Sequence, residues 1–166
     1  MKSKDIIEKL ELVSHPEGGY YKEVYRSEES ISHSALPPRF KGERKFSTSI
    51  YFMLEEEQIS HLHRLKSDEI WYYHSGSSFI IHKFDQIRGY TKRILGCKID
   101  EGEDFQIVIP HGAWFASELL DKSTYGLVSC VVSPGFDFND FELAEAGKLS
   151  STFPEQIELL KKLTLR

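Results

Sequence analysis

HLHRLKSDEIWYYHSG, residues 61–76, holds two histidines at i and i+2, an acidic pair (Asp68 and Glu69), an aromatic run (Trp71-Tyr72-Tyr73) and a turn at Ser75-Gly76. Alternate residues of a β-strand point to one face. His61 and His63 are therefore expected to project together from one strand. Lys66-Ser67-Asp68 reads as a turn, so that the next strand returns Glu69 towards them. Two imidazoles and a carboxylate that converge in this way can bind a metal, move protons, or hydrogen-bond one another in a polar core.

Outward from this stretch the chain reads as a series of short strands. Residues 46–54, FSTSIYFML, place Thr48, Ile50, Phe52 and Leu54 on an apolar face. Ser47, Ser49, Tyr51 and Met53 form the other face, polar enough to line a cavity. More strands are expected over 79–84, 90–95, 105–109, 114–119 and 125–133. Residues 20–27 alternate with two mixed faces, as a strand lining a pocket or an interface would. Short strands at nearly regular spacing, without long helices between them, predict an antiparallel sandwich or barrel.

The flanks read differently. Residues 4–13 predict an amphipathic helix with Ile6, Leu10 and Val13 on one face, ended by His15-Pro16-Glu17-Gly18-Gly19. Residues 28–44 are polar, contain Pro37-Pro38, and read as a long loop, either a lid or a surface excursion. Phe136, Phe138 and Phe141 are expected to cover the barrel edge or wall. A closing helix runs to about Leu163, entered through Thr152-Phe153-Pro154-Glu155, which has the form of a capping box. A single domain over 1–166 is the economical organisation.

With 166 residues, 40% hydrophobic and 28% charged, the chain is long enough for one real core. Net charge is −5, with both signs interspersed. No basic patch suggests nucleic acid, and no apolar run is long enough for a membrane span. The N-terminus is charged throughout where a signal peptide needs an apolar stretch. Cys97 and Cys130 form no motif and read as reduced, buried residues of a cytoplasmic protein.

His61, His63, Glu69 and Gly76 resemble the first motif of the cupin superfamily, with one residue more than usual between His63 and Glu69, and Glu55 where a glycine is usual upstream. Pro110-His111-Gly112 resembles the second motif, but Phe115 stands where its metal-binding histidine falls. The stretches 15–27, 47–54, 63–76, 106–117 and 127–143 together resemble the cupin_5 family. That resemblance implies an all-β double-stranded β-helix, or jelly roll, with short helices at both ends, a homodimer, and a likeness to sugar-nucleotide epimerases. No cofactor is expected, or at most a weakly held divalent metal, on His61, His63 and Glu69.

Three functions remain open. The first is an isomerase- or epimerase-like enzyme that moves a proton on a sugar-like or nucleotide-like ligand, with His63 as base, Glu69 orienting it and Tyr51 as proton donor. The second is a metal-binding protein using His61, His63, Glu69 and Gln106. The third is a non-catalytic binder of a small ligand. The expected ligand-binding residues are His61, Trp71, Tyr73, Gln106, Trp114, Phe115 and Arg26, the last either holding an anionic group or pairing with Glu23 across a dimer.

Overall fold

A computed structural model describes residues 2–165. Helix α1, Ser3–Leu10, leads into thirteen strands: β1 Val13–Ser14, β2 Tyr20–Arg26, β3 Ser30–Ile31, β4 Arg44–Lys45, β5 Thr48–Glu55, β6 Ile59–Leu65, β7 Asp68–Gly76, β8 Phe79–Asp85, β9 Gly89–Leu95, β10 Gln106–Ile109, β11 Trp114–Leu119, β12 Tyr125–Ser133 and β13 Phe141–Leu143. Helices α2, Ala146–Ser150, and α3, Ile157–Leu163, follow. Two antiparallel sheets face each other, one ordered β1-β2-β5-β12-β7-β10 and the other β13-β6-β11-β8-β9. The expected jelly roll with a helix at each end is the fold observed.

Alternation sorts the side chains into three apolar clusters. Between the sheets, Phe52, Leu54, Trp71, Phe79, Ile81, Phe115, Val128 and Cys130 form the main core. Outside the second sheet, Leu62, Phe84, Trp114 and Ala116 receive Leu149, Phe153, Leu160 and Leu163 from the C-terminal helices. Outside the first sheet, Ile6 and Leu12 cover Met53, with Tyr51 packed alongside. This last cluster reverses the expected roles of the two β5 faces. Thr48, Ile50 and Phe52 look into the barrel, and the Tyr51 face lies beneath α1. The interior of the barrel is mostly apolar, so the apolar face turns inward.

Three local readings are corrected. Helix α1 stops at Leu10 because Glu11 adopts a left-handed conformation, φ 53°. Val13 then falls on edge strand β1, 56% exposed, not on a helix face. Residues 152–155 form no capping box; a 3-10 turn, Pro154–Gln156, precedes α3 without a side-chain cap. Cys97 is exposed, just beyond β9, whereas Cys130 is buried on β12 as expected.

The 28–44 segment is a fastened loop. Phe40 is buried near its C-terminal end, with the Arg39 and Arg44 guanidiniums over its ring at 4.9 and 5.6 Å. Arg44 at its end makes a buried bidentate pair with Asp140, Nε to Oδ2 at 2.6 Å and Nη2 to Oδ1 at 2.7 Å. The loop therefore anchors the aromatic segment 136–141, which forms one wall of the interior cavity.

Candidate functional site

A cavity of about 450 Å³ opens into the barrel, its wall including His15, Glu17, Tyr21, Glu23, Arg26, His63, Glu69 and Trp71, with Phe136 and Phe138 from the aromatic segment. His63 and Glu69, expected from the sequence, both line it and are both buried. They do not pair with each other. The carboxylate against His63 belongs to Glu17, whose Oε2 lies 3.3 Å from His63 Nε2.

Glu17 comes from the turn that ends the N-terminal region. Its carbonyl accepts hydrogen bonds from the His61 amide and His61 Nδ1, both at 2.7 Å, which clips the turn onto β6. Gly18 permits this approach. Its φ is +106°, and a Cβ there would stand 2.2 Å from the Ile59 carbonyl oxygen. Gly18→Ala should cost roughly 1–3 kcal/mol in strain and displace Glu17; denaturant melts measure the first, and the exposure of Glu17 in a variant structure the second.

Two β-bulges set which residues face the cavity. On β6 the register against β11 shifts between Ser60 and His63, so Ser60 and His63 face inward and strict alternation fails. His61 therefore leaves the shared face, and its ring rests on the Glu17 carbonyl. On β2 the register against β5 shifts between Glu23 and Tyr25. Glu23 and Arg26 thus both line the cavity, while Tyr25 is 54% exposed.

The protons can be placed from the hydrogen bonds. His63 Nδ1 lies 2.7 Å from the His61 carbonyl oxygen, an acceptor, so Nδ1 carries the ring proton. In the neutral ring Nε2 is then a lone pair, and it faces a carboxyl oxygen. A proton must lie between them. Burial drives His63 down to about 4 and drives Glu17 upward, so the proton resides on Glu17. Ser60 Oγ donates to the other Glu17 oxygen at 2.7 Å. His15 Nδ1 accepts from the Glu17 amide at 3.3 Å, and burial holds its pKa low as well.

Glu69 is the second buried acid. Its Oε2 has no hydrogen-bond partner. Burial, reinforced by the Glu17 carboxyl, pushes its pKa up to about 8, against the opposing influence of the nearby Trp71 indole and Cys130 thiol. At neutral pH the buried end of the cavity thus presents two protonated carboxyls and two neutral imidazoles: polar, yet uncharged.

The remaining sequence candidates lie elsewhere. Tyr51 is on the outer face of β5, its ring 5.9 Å from that of His74. Tyr73 donates to the Gly76 carbonyl at 2.6 Å and does not line the cavity. Gln106 is exposed on β10, opposite Tyr72. Trp114 packs under the C-terminal helices, with the Arg64 guanidinium 4.4 Å over its ring. Adjacent strand residues face opposite ways, so only Phe115 points inward, its ring centroid 4.1 Å from that of His63. Trp71 and Arg26 do line the cavity.

The expected metal donors are not assembled. His61 is turned onto a carbonyl, Gln106 is exposed, and an aromatic ring stands at position 115. Among the described residues no group of three or more His, Cys, Asp or Glu is arranged to hold a metal ion. The donor set therefore does not fit the resident metal that the motif implies.

A jelly roll enclosing an acid- and imidazole-lined cavity defines the chain as a cupin-fold protein. It belongs to the Cupin_5 family of the cupin superfamily (DUF985), whose model matches residues 4–144. It is similar to an uncharacterized protein of Saccharomyces cerevisiae, 30% identical over 148 residues, covering 82% of this chain and 72% of that one. Among solved structures it is similar to a hypothetical protein from Leishmania major, with TM-score 0.88 and 35% identity over 100% of both chains. A protein from Shewanella oneidensis has TM-score 0.88 and 37% identity, covering 99% of this chain and 98% of that one.

Proposed function

We propose that the barrel cavity binds a small sugar-like or nucleotide-like molecule and moves a proton on it, as an isomerase or epimerase does. The observation that carries this reading is the Glu69 carboxyl, whose Oε2 has no hydrogen-bond partner, beside the Glu17–His63 pair. A protonated carboxyl and a neutral base held in one apolar cavity are suited to opposite halves of a proton transfer. The Glu69 O–H donates to a substrate carbonyl oxygen. Glu17 takes the proton from the adjacent carbon as its own proton passes to His63 Nε2. The C–H electron pair becomes the enol double bond, Glu69 is left as a carboxylate and His63 as an imidazolium, and net charge is unchanged. Return of the proton to either face of the enol gives the starting compound or its isomer. Glu17, more than Glu69, is the partner of the base in this scheme, and Glu69 takes the donor role assigned from the sequence to Tyr51.

Solvent deuterium provides the test. A ligand found by thermal shift should acquire deuterium at one carbon when incubated with the protein in D2O. A ligand that binds tightly and never exchanges would leave the cavity as a non-catalytic binding site.

The assembly we propose is a homodimer through residues 20–27. Its support is the exposure of apolar side chains on the paired strands β1 and β2, Val13, Val24 and Tyr25. Closed two-fold dimers are the commonest soluble assembly. Light scattering at micromolar concentration should give twice the 19.2 kDa chain mass; a monomer mass would oppose it. No helix among the described residues is long and apolar enough to cross a membrane. Two unpaired cysteines support a cytoplasmic location.

A further inference from the structure

Charge is distributed unevenly around the cavity. Four carboxyl side chains line it: Glu17 and Glu69, which are buried, and Glu23 and Asp137, which are more exposed. Arg26 is the only lysine or arginine among the described lining residues. Its guanidinium is already occupied. Nε donates to Glu23 Oε1 at 2.9 Å and Nη2 to Glu23 Oε2 at 2.6 Å. Nη1 donates to the Phe136 carbonyl at 3.3 Å. Asp137 adds a further negative charge close by.

An entering phosphate or carboxylate would have to displace Glu23 and pass Asp137. Deeper in, it would meet carboxyls and uncharged imidazoles, with no cation to repay the several kcal/mol that desolvating a charge costs. A cationic ligand pays the same cost, and its partner at depth would have to be an ionised Glu69 forced to coexist with Glu17. An uncharged hydroxyl or carbonyl pays neither cost. It finds a donor and an acceptor in the protonated Glu69 carboxyl, which lines the cavity, and the Tyr21, Phe136, Phe138 and Phe141 rings can pack against its apolar ring face.

We infer that the cavity takes an uncharged hydroxyl- or carbonyl-bearing compound, such as a free sugar or its lactone, and that Glu23 excludes phosphorylated compounds by occupying Arg26. This rests on the reading of the cavity as a small-molecule site and narrows its substrate class. Glu23 acts as a specificity residue that works by denying a wrong ligand its partner.

Two experiments test the inference. First, a fragment set matched in size contains equal numbers of polyols and lactones, phosphate esters and carboxylates, and amines. Binding is read from methyl resonances of cavity residues Ile50, Leu65 and Val132. The cavity-directed hits should be uncharged; a majority of anions or cations, or no hits at all, would overturn the assigned class. Second, inorganic phosphate is titrated into the wild-type protein and into Glu23→Gln, with Glu23→Ala in reserve should the glutamine amide bind Arg26 again. Freeing Arg26 should tighten phosphate binding at the cavity about two- to fivefold, the value of one lost competing ion pair at a partly exposed site. Equal binding in wild type and both variants would remove Glu23 from the specificity role. The proton-transfer reading fails separately, if an uncharged ligand binds and its carbon-bound hydrogen never exchanges with solvent.

Discussion

Glu17→Gln should slow solvent exchange into a bound ligand by about 10²- to 10⁴-fold, the usual worth of a positioned acid–base group, while the protein stays folded. The amide is a close copy of the protonated carboxyl. Its oxygen can accept the Ser60 hydroxyl, now 2.7 Å from Glu17 Oε1, and its nitrogen can donate to His63 Nε2 in place of the present proton. What it cannot do is accept a proton from carbon while passing its own to histidine. His63→Ala should lose a similar factor, because it removes the terminus of the same relay. The double variant should lose little more than either single one, since groups that act as a unit are not additive. Deuterium incorporation followed by NMR reads all three. Unchanged exchange in folded Glu17→Gln would remove this residue from the chemistry.

The second large effect is on stability. Burial and the Glu17 carboxyl raise Glu69 from an ordinary 4.5 to about 8. Between those values the folded chain keeps a proton that the unfolded chain has lost. Stability from this group is therefore full below the lower value and is lost as pH rises towards the upper one. At about 1.4 kcal/mol per unit, the loss at pH 8 is on the order of 4 kcal/mol. The groups facing Glu69 are Glu17, Trp71 and Cys130, and none is a cation that could hold the carboxylate. Glu69→Gln should thus melt well above the wild-type protein in mildly alkaline buffer and converge with it in acid. His63 acts in the opposite window. Its pKa falls from 6.5 to about 4 on folding, so its contribution is full above the higher value and is lost as pH drops towards the lower one. The acid limb should accordingly persist in Glu69→Gln. Parallel melting curves for the two proteins across the whole range would contradict the raised Glu69.

Much of this was legible in the residues. Period-two patterning and turn residues gave the strands, and the His63 and Glu69 positions marked the cavity. Glu17 and His15 were hidden because a Pro-Glu-Gly-Gly turn is first of all a helix stop. The signal present there was the glycine pair, since adjacent glycines also allow one backbone to lie directly on another, as Gly18 does on Ile59. The two bulges left no mark in the pattern. They moved His61 off the His63 face and brought Arg26 onto the Glu23 face. Tyr51 was misplaced for a different reason. A polar face suggested a cavity, but the cavity wall is largely apolar, and the Tyr51 side is covered by α1.

The central claim is that His63 is a neutral, Nδ1-protonated base whose Nε2 receives its proton from Glu17. Nitrogen-15 NMR of the histidine side chains, followed through a pH titration, tests it without knowledge of any ligand. The account predicts that His63 shows the neutral Nδ1–H tautomer at neutral pH and titrates only on approaching about 4. An imidazolium at neutral pH, or a proton found on Nε2 of a neutral ring, would contradict it.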